Sequence, residues 1–257
     1  MGIITLISDW GNSDYYTAAV KGMILSHLPD TRIVDITHDI EPFNSNEAAY
    51  ILKNAYKNFP EGTIHIMGIN TEESINHPHT VAFYNKHYFI GTDEGIFSLI
   101  FEGEPEQMVE LEIMQESENF TFSSRDRFVK AAIHLLKGDP IEKLGSPKKE
   151  LKKKLLFEPI VDPTYIRGVV VHIDSYENLI TNIPKSLFKK VVGNKKFSIS
   201  FRSDSVSKIS DSYGDVRPGE VVALFGSNNM LEIAINQGNA SSLLGIGWNH
   251  TVFVNID

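Results

Sequence analysis

Asp9 is the first residue in the chain whose place suits chemistry. It follows the apolar run Ile3 to Ser8 and precedes Gly11-Asn12 and the helical pattern Tyr15 to His27, which reads as strand, loop and helix. In an open parallel sheet, ligands bind beyond the carboxyl ends of the strands. A carboxylate there can accept hydrogen bonds from both hydroxyls of a ribose. The same position serves equally well for a helix N-cap or a turn aspartate. No G-x-G-x-x-G follows the strand, which disfavours an ordinary dinucleotide site. His65, His77, His79 and His87 fall within 23 positions. Imidazoles bind zinc, but this spacing matches no metal motif, so the expectation is a solvated histidine-rich loop and no metal. The chain has no cysteine, which excludes disulfides, thiolate catalysis and thiolate metal sites, and fits a reducing compartment.

The elements that must position these residues alternate. Arg32 to Thr37 reads as a strand, Asn44 to Phe59 as a helix with Ala48, Ala49, Ile51, Leu52 and Tyr56 inward, and Thr63 to Ile69 as a third strand. Strands are further predicted at Thr80 to Tyr84 and Tyr88 to Gly91, and a helix from Arg125 or Asp126 to Lys137. Alternating strands and helices predict an α/β fold whose N-terminal, mostly parallel sheet is sandwiched by helices. Pro147, the run Lys148-Lys149-Glu150-Leu151-Lys152-Lys153-Lys154, Pro159 and Pro163 mark a linker. The lysines read as a solvated face rather than a phosphate patch, because they sit in an acidic chain. The β-rich stretches Gly168 to Ile173, Lys196 to Phe201, Val221 to Phe225 and Thr251 to Ile256 predict a smaller, mainly β, barrel-like domain. The expected division is 1–145 for the α/β domain, 146–164 for the linker and 165–257 for the β domain.

At 257 residues, 42% hydrophobic and 22% charged, the chain has the composition of a globular protein with enough length for two cores. Its net charge of -9, from 24 basic and 33 acidic residues, argues against a nucleic-acid partner and for a small molecule. MGIITLISDW has no cationic leader, and no apolar run approaches membrane-spanning length, so no membrane and a cytoplasmic location are expected. Asn119-Phe120-Thr121 fits a glycosylation sequon, which needs a secreted context and is read as chance.

Ser8-Asp9-Trp10-Gly11-Asn12-Ser13-Asp14-Tyr15 with Lys21-Gly22 resembles the opening of the S-adenosylmethionine (SAM) hydroxide adenosyltransferases, the family that also contains the fluorinating and chlorinating SAM enzymes. The resemblance continues through Val34-Asp35-Ile36-Thr37-His38-Asp39-Ile40 with Pro42-Phe43, Phe59-Pro60-Glu61-Gly62-Thr63, and Thr121-Phe122-Ser123-Ser124-Arg125-Asp126. In the second half it includes Ile173-Asp174-Ser175-Tyr176-Glu177-Asn178-Leu179-Ile180-Thr181-Asn182, Tyr213-Gly214-Asp215-Val216, and Gly226-Ser227-Asn228-Asn229-Met230-Leu231-Glu232-Ile233-Ala234. Seven blocks stand in order across almost the whole chain. The resemblance implies a homotrimer with sites between subunits, and no cofactor beyond SAM as substrate. It also implies roles. Asp9 would hold the ribose hydroxyls, Phe43 would line the ribose, Tyr213 would stack on the adenine, and Asn178 would read the adenine edge. Asp14, Asp174 and Ser227 would hold the methionine end.

The departures bear on catalysis. In hydrolysing members the third strand ends in Asp, an Arg follows, and a His precedes the Gly-Arg-Asp of the later motif. Here those places hold Asn70, a segment Thr71 to His79 without arginine, and Ser123. Asn cannot ionise, Ser is a poor base without a partner, and His77 is the titratable candidate near the missing Arg. Ser124 stands where halogenating members carry Ser or Gly beside the halide, although a Ser arises there easily by drift. The catalytic candidates are therefore Asn70, Ser123, Ser124 and His77. The leading expectation is cleavage of SAM by water to adenosine and methionine. The alternatives are a SAM or adenosine binder without turnover, and adenosyl transfer to another small nucleophile.

Overall fold

Strand β1 (Ile3–Ser8) is buried from Ile4 to Ser8, and β3 (Ile64–Gly68) throughout. Strands buried on both faces need helices on both. Alternate residues of β1 and β3 accordingly enter two cores. Ile4, Leu6, Ile64 and Ile66 pack with α1 (Tyr16–His27) and α4 (Val129–Leu136). Ile7 and Met67 pack with α2 (Ser45–Ala55) and α3 (Ile96–Ile100).

The computed structural model describes residues 2–114, 120–155 and 157–257, so Asn119 of the sequon lies outside the described residues. The chain divides into two compact units, Met1–Leu155 and Leu156–Asp257. The sheet of the first has the order β2-β1-β3-β5-β4-β6-β7, with β2 at Arg32–Thr37, β4 at His79–Tyr84, β5 at His87–Thr92, β6 at Gln107–Leu111 and β7 at Gly145–Pro147. The strands β2-β1-β3-β5 are parallel, as an α/β sandwich requires. The far side is antiparallel because β4 and β5 form a hairpin. Its two connecting residues, Asn85 and Lys86, have φ of 49° and 64°, the backbone of a tight turn that matches strand twist.

In the second unit the antiparallel order is β12-β11-β15-β9-β10-β14-β13, with β8 paired to β9. These are β8 (Ile160–Asp162), β9 (Tyr165–Ile173), β10 (Leu179–Pro184), β11 (Phe197–Phe201), β12 (Asp204–Val206), β13 (Val221–Phe225), β14 (Met230–Ile235) and β15 (Thr251–Ile256). The end strands β12 and β13 touch, so the sheet is a nearly closed barrel. It is filled by Ile166, Val170, Leu179, Ile199, Ile233 and Val252, with α5 (Lys185–Val192) and α6 (Ala240–Leu244) packed on it.

Two expectations are corrected in part. Three of the four histidines are not in a solvated loop: His65 and His79 are fully buried and His87 nearly so, because β3, β4 and β5 carry them into the first unit, whereas His77 lies partly exposed in the turn before β4. His65 lies 2.7 Å from Thr5 Oγ1 through Nδ1 and 3.2 Å from His87 Nδ1 through Nε2. Tyr56, Phe59 and Phe89 surround it. The lysine run does present a solvated face, with Lys149, Lys152, Lys153 and Lys154 exposed, but Lys148 is turned inward because buried Asp93 requires partners. Lys148 Nζ stands 3.2 Å from Asp93, and the backbone N–H of Lys152 donates to the same carboxylate at 3.0 Å. Lys154 donates from its backbone to Ser98 and from Nζ to Ser45. The helix expected from 125 begins instead as a π-helical turn, Ser124–Phe128, before α4. No helix among the described residues is long and apolar enough to cross a membrane.

Burial, and then the neighbouring His87, push His65 down to about 3. Above pH ~6.5 the ring is neutral folded or unfolded; below it the unfolded chain takes a proton that the folded chain refuses. Stability should therefore fall as pH drops from ~6.5 toward 3. Burial also lowers His79 and His87, so His65→Phe should reduce this slope without abolishing it, as measured by urea unfolding across that range.

Candidate functional site

The first unit builds its candidate site at the carboxyl ends of β1, β3 and β5. Ser8 closes β1 with its Oγ 2.6 Å from His38 Nδ1. His38 Nε2 is 3.1 Å from Asp35 Oδ1 but poorly directed for a hydrogen bond. Lys21 Nζ meets Asp35 Oδ2 at 2.5 Å. Partial burial opposes ionisation of Asp35, but Lys21 and His38 outweigh it and hold its carboxyl below the usual range. The chain then turns at Gly11, φ 68°, whose N–H donates to His38 O at 2.8 Å. Trp10 lies flat on His38 and edge-on to Phe122, both at 6.0 Å between centroids. Its ring covers Gly68 so closely that a Cβ there would stand 2.3 Å from an indole carbon.

Asp9 is held by this loop. Its Oδ2 accepts the backbone N–H of Phe43 at 2.9 Å. It caps no helix, since the residue before α1 is Tyr15 and no side chain caps it. Among the described residues no protein donor claims Oδ1. Phe43 has φ 66° and is 72% exposed. Asp14 is exposed and accepts the Tyr15 N–H at 2.6 Å.

At the end of β3, Asn70 adopts φ 44° and donates from Nδ2 to Glu94 Oε2 at 2.8 Å. Ser123 and Ser124 are buried at the head of the π-helical turn, which packs on β3 and β5. Ser124 Oγ has no partner among the described residues. His77 ends the turn begun by Ser74 and accepts from Lys152 Nζ at 2.6 Å, so the lone pair that a general base would use is already engaged. The segment 71–79 lacks an arginine of its own, yet Arg127 reaches it from the π-helical turn, pairing with Glu73 and donating to Leu111 O at 2.6 Å. Among the described residues no group of three or more histidines or acids is arranged to hold a metal.

Glu94, Arg127 and Lys152 were not singled out by the sequence reading. Glu94 was within reach of it, because the carboxyl-end rule that selects Asp9 after β1 applies equally to Asp93-Glu94-Gly95 after β5.

The second unit has a cleft of about 550 Å³ lined by residues that include Asp174, Asn178 and Tyr213. Asp174 braces the β9–β10 turn. Its Oδ1 accepts the N–H groups of Tyr176 and Asn178 at 2.9 Å each, and its Oδ2 accepts one amide N–H of Asn178 at 3.0 Å. Tyr213 stands on a short 3₁₀ turn fixed by reciprocal bonds between Ser212 and Asp215. Its hydroxyl donates to Glu232 at 2.7 Å. Burial and the adjacent carboxylate raise the phenol above its ordinary value, and burial raises Glu232 despite the bond from Tyr213. Ser227 lies exposed in the turn between β13 and β14, apart from the residues lining the cleft.

An α/β unit with a braced carboxylate beyond its first strand, followed by a nearly closed β unit with a polar, aromatic-walled cleft, defines a two-unit protein built for a small ligand. Residues 4–145 match the SAM hydroxide adenosyltransferase N-terminal domain and residues 168–253 the C-terminal domain. The chain belongs to the SAM hydroxide adenosyltransferase family. It is 28% identical to the (R)-S-adenosyl-L-methionine hydrolase of Methanocaldococcus jannaschii, over 96% of this chain and 94% of that one. It is also 28% identical to the Thermus thermophilus protein of the same name, over 95% of each. The crystal structure of an uncharacterized conserved protein from Thermotoga maritima superposes with a TM-score of 0.89 at 28% identity, over 98% of this chain and 99% of that one.

The Trp10–Gly68 contact supplies a test of how the loop is held. Gly68→Ala should drive the indole off His38 and destabilise the protein by about 1–3 kcal/mol, as overpacking does. A lowered unfolding midpoint and altered tryptophan fluorescence would show both effects.

Proposed function

We propose that the chain is a SAM hydrolase that cleaves the bond between C5′ and sulfur with water, releasing adenosine and methionine. Asp9 carries this reading. In a family whose curated relatives bear the name of that hydrolase, its carboxylate caps no helix and keeps Oδ1 clear of protein donors, which suits a ribose diol. Phe43 lines the sugar, Tyr213 stacks on the adenine, and Asn178 reads the adenine edge. Asp14, Asp174 and Ser227 hold the methionine end. The sulfonium is already a good leaving group, so catalysis consists mainly of holding water in line behind C5′. The same reading carries a homotrimer, no cofactor beyond the substrate, and a cytoplasmic location.

Asn70 and Ser123, where hydrolysing relatives keep an acid and a histidine, favour a second reading: a protein that binds SAM or adenosine without turning it over. Incubation with SAM separates the two. Chromatography should show adenosine accumulating with the parent protein and not with Asp9→Ala. Saturable binding by calorimetry with no adenosine would establish the second reading instead.

Charge-assisted hydrogen bonds are worth roughly 1.5–3 kcal/mol. Asp9→Asn should therefore weaken adenosine binding about tenfold or more, with an unchanged circular dichroism spectrum. Unchanged affinity would reduce Asp9 to a brace for Phe43.

A further inference from the structure

Glu94 follows β5 as Asn70 follows β3, and these two strands are parallel neighbours. Both residues therefore stand at the carboxyl edge that also presents Asp9. A carboxylate only accepts, so the Asn70 amide must turn its N–H group toward Glu94, and it does so at 2.8 Å to Oε2. Glu94 Oε1 is buried, and among the described residues no group pairs with it.

The neighbouring acids differ. Asp93 is engaged by Lys148 and by the Lys152 backbone, and Glu73 by Arg127. These pairings account for both as structural groups, whereas Glu94 is held by one oxygen and unclaimed at the other. Ser124 Oγ and Thr92 Oγ1 are likewise buried without a partner among the described residues, and Ser124 sits on the π-helical turn that packs on β3 and β5. Buried polar atoms left unpaired are costly and call for an explanation, and single π turns are frequent at functional sites.

We propose that Glu94 is the carboxylate that orients the attacking water, with Asn70 as its positioning residue and Ser124 as a further contact for that water. The proposal rests on the hydrolase reading above. Water donates a hydrogen bond to Glu94 Oε1 and its oxygen attacks C5′. The C5′–sulfur bond breaks with its electron pair going to sulfur, which becomes the neutral thioether of methionine. The water's second hydrogen stays on the new 5′-hydroxyl, and the proton released passes through Glu94 to solvent. Asn70 thus does not mark a lost acid; the acid is supplied by the next strand.

The test is steady-state adenosine release by the parent, Glu94→Gln, Asn70→Asp, and the exchange variant Asn70→Asp with Glu94→Asn. Glutamine keeps an acceptor for the Asn70 amide, so Glu94→Gln should fold as the parent does, with its melting temperature checked. Its kcat should fall about 100-fold or more, as for loss of a general base, while KM changes less than about threefold, because the group acts in the transition state. Asn70→Asp sets two carboxylates side by side and should lower kcat. The exchange variant, which restores one carboxylate and one amide, should recover at least about tenfold over Glu94→Gln. An active parent whose kcat survives Glu94→Gln would overturn this inference and leave the hydrolase reading standing. A parent that releases no adenosine would overturn both. A loss of kcat in Glu94→Gln that the exchange does not recover would overturn the role given to Asn70.

Discussion

The candidate site of the first unit depends on one close approach, the Trp10 indole lying against the backbone of Gly68. Parallel neighbours β1 and β3 end side by side, and the absence of a side chain at Gly68 lets the ring cover the end of β3. With the indole seated, His38 stacks on it, Ser8 and Gly11 bond to His38, and Asp9 holds Phe43. The loop after β1 is thus fixed by packing against a strand instead of by capping a helix. Packed interiors transmit small displacements, so the position of the Asp9 carboxylate is set partly by a residue that bears no side chain.

Most polar groups around both candidate sites are paired, and among the described residues the buried side-chain atoms without a partner, which include His38 Nε2, His79 Nδ1, Thr92 Oγ1 and Arg127 Nε, all lie in the first unit. In the second unit, Asp174 with Asn178 and Tyr213 with Glu232 form prearranged pairs, each orienting a group that the family resemblance assigns to the ligand. Such pairs lock side chains before anything binds and reduce the ordering cost of binding. In the first unit the ion pairs of Asp93 and Glu73 tie down the lysine segment and the π-helical turn. Glu94 Oε1 differs from the other unpaired atoms in being a carboxylate oxygen.

Apolar periodicity was a sound guide to β1, β3, α1, α2 and the last strand, because their burial is written into local composition. It failed where polar residues are buried by their partners. His65 reads as a loop histidine until Thr5 and His87 are seen to meet it from adjacent strands, and Lys148 reads as solvent-facing like the rest of its run until Asp93 is found beneath it. Strands β10 and β14 were legible as motifs but not as strands, since the buried polar residues Thr181 and Glu232 interrupt their apolar pattern. At the candidate site, the place of Asp9 after β1 made it a candidate while leaving a cap equally open, whereas the bond between Asn70 and Glu94 joins residues 24 apart in sequence. No local pattern encodes it.

Phe43 shows how recognition and stability can pull one position in opposite directions. A phenylalanine at φ 66° stands in left-handed backbone that costs most residues about 1–2 kcal/mol, and its ring remains mostly in solvent. Glycine would relax the backbone there and lose no packing. Selection for folding alone would therefore erode this residue, and a lineage that ceased to bind its ligand should drift toward glycine or asparagine at position 43 before its cores change. The strained loop would then serve as a record of continuing use.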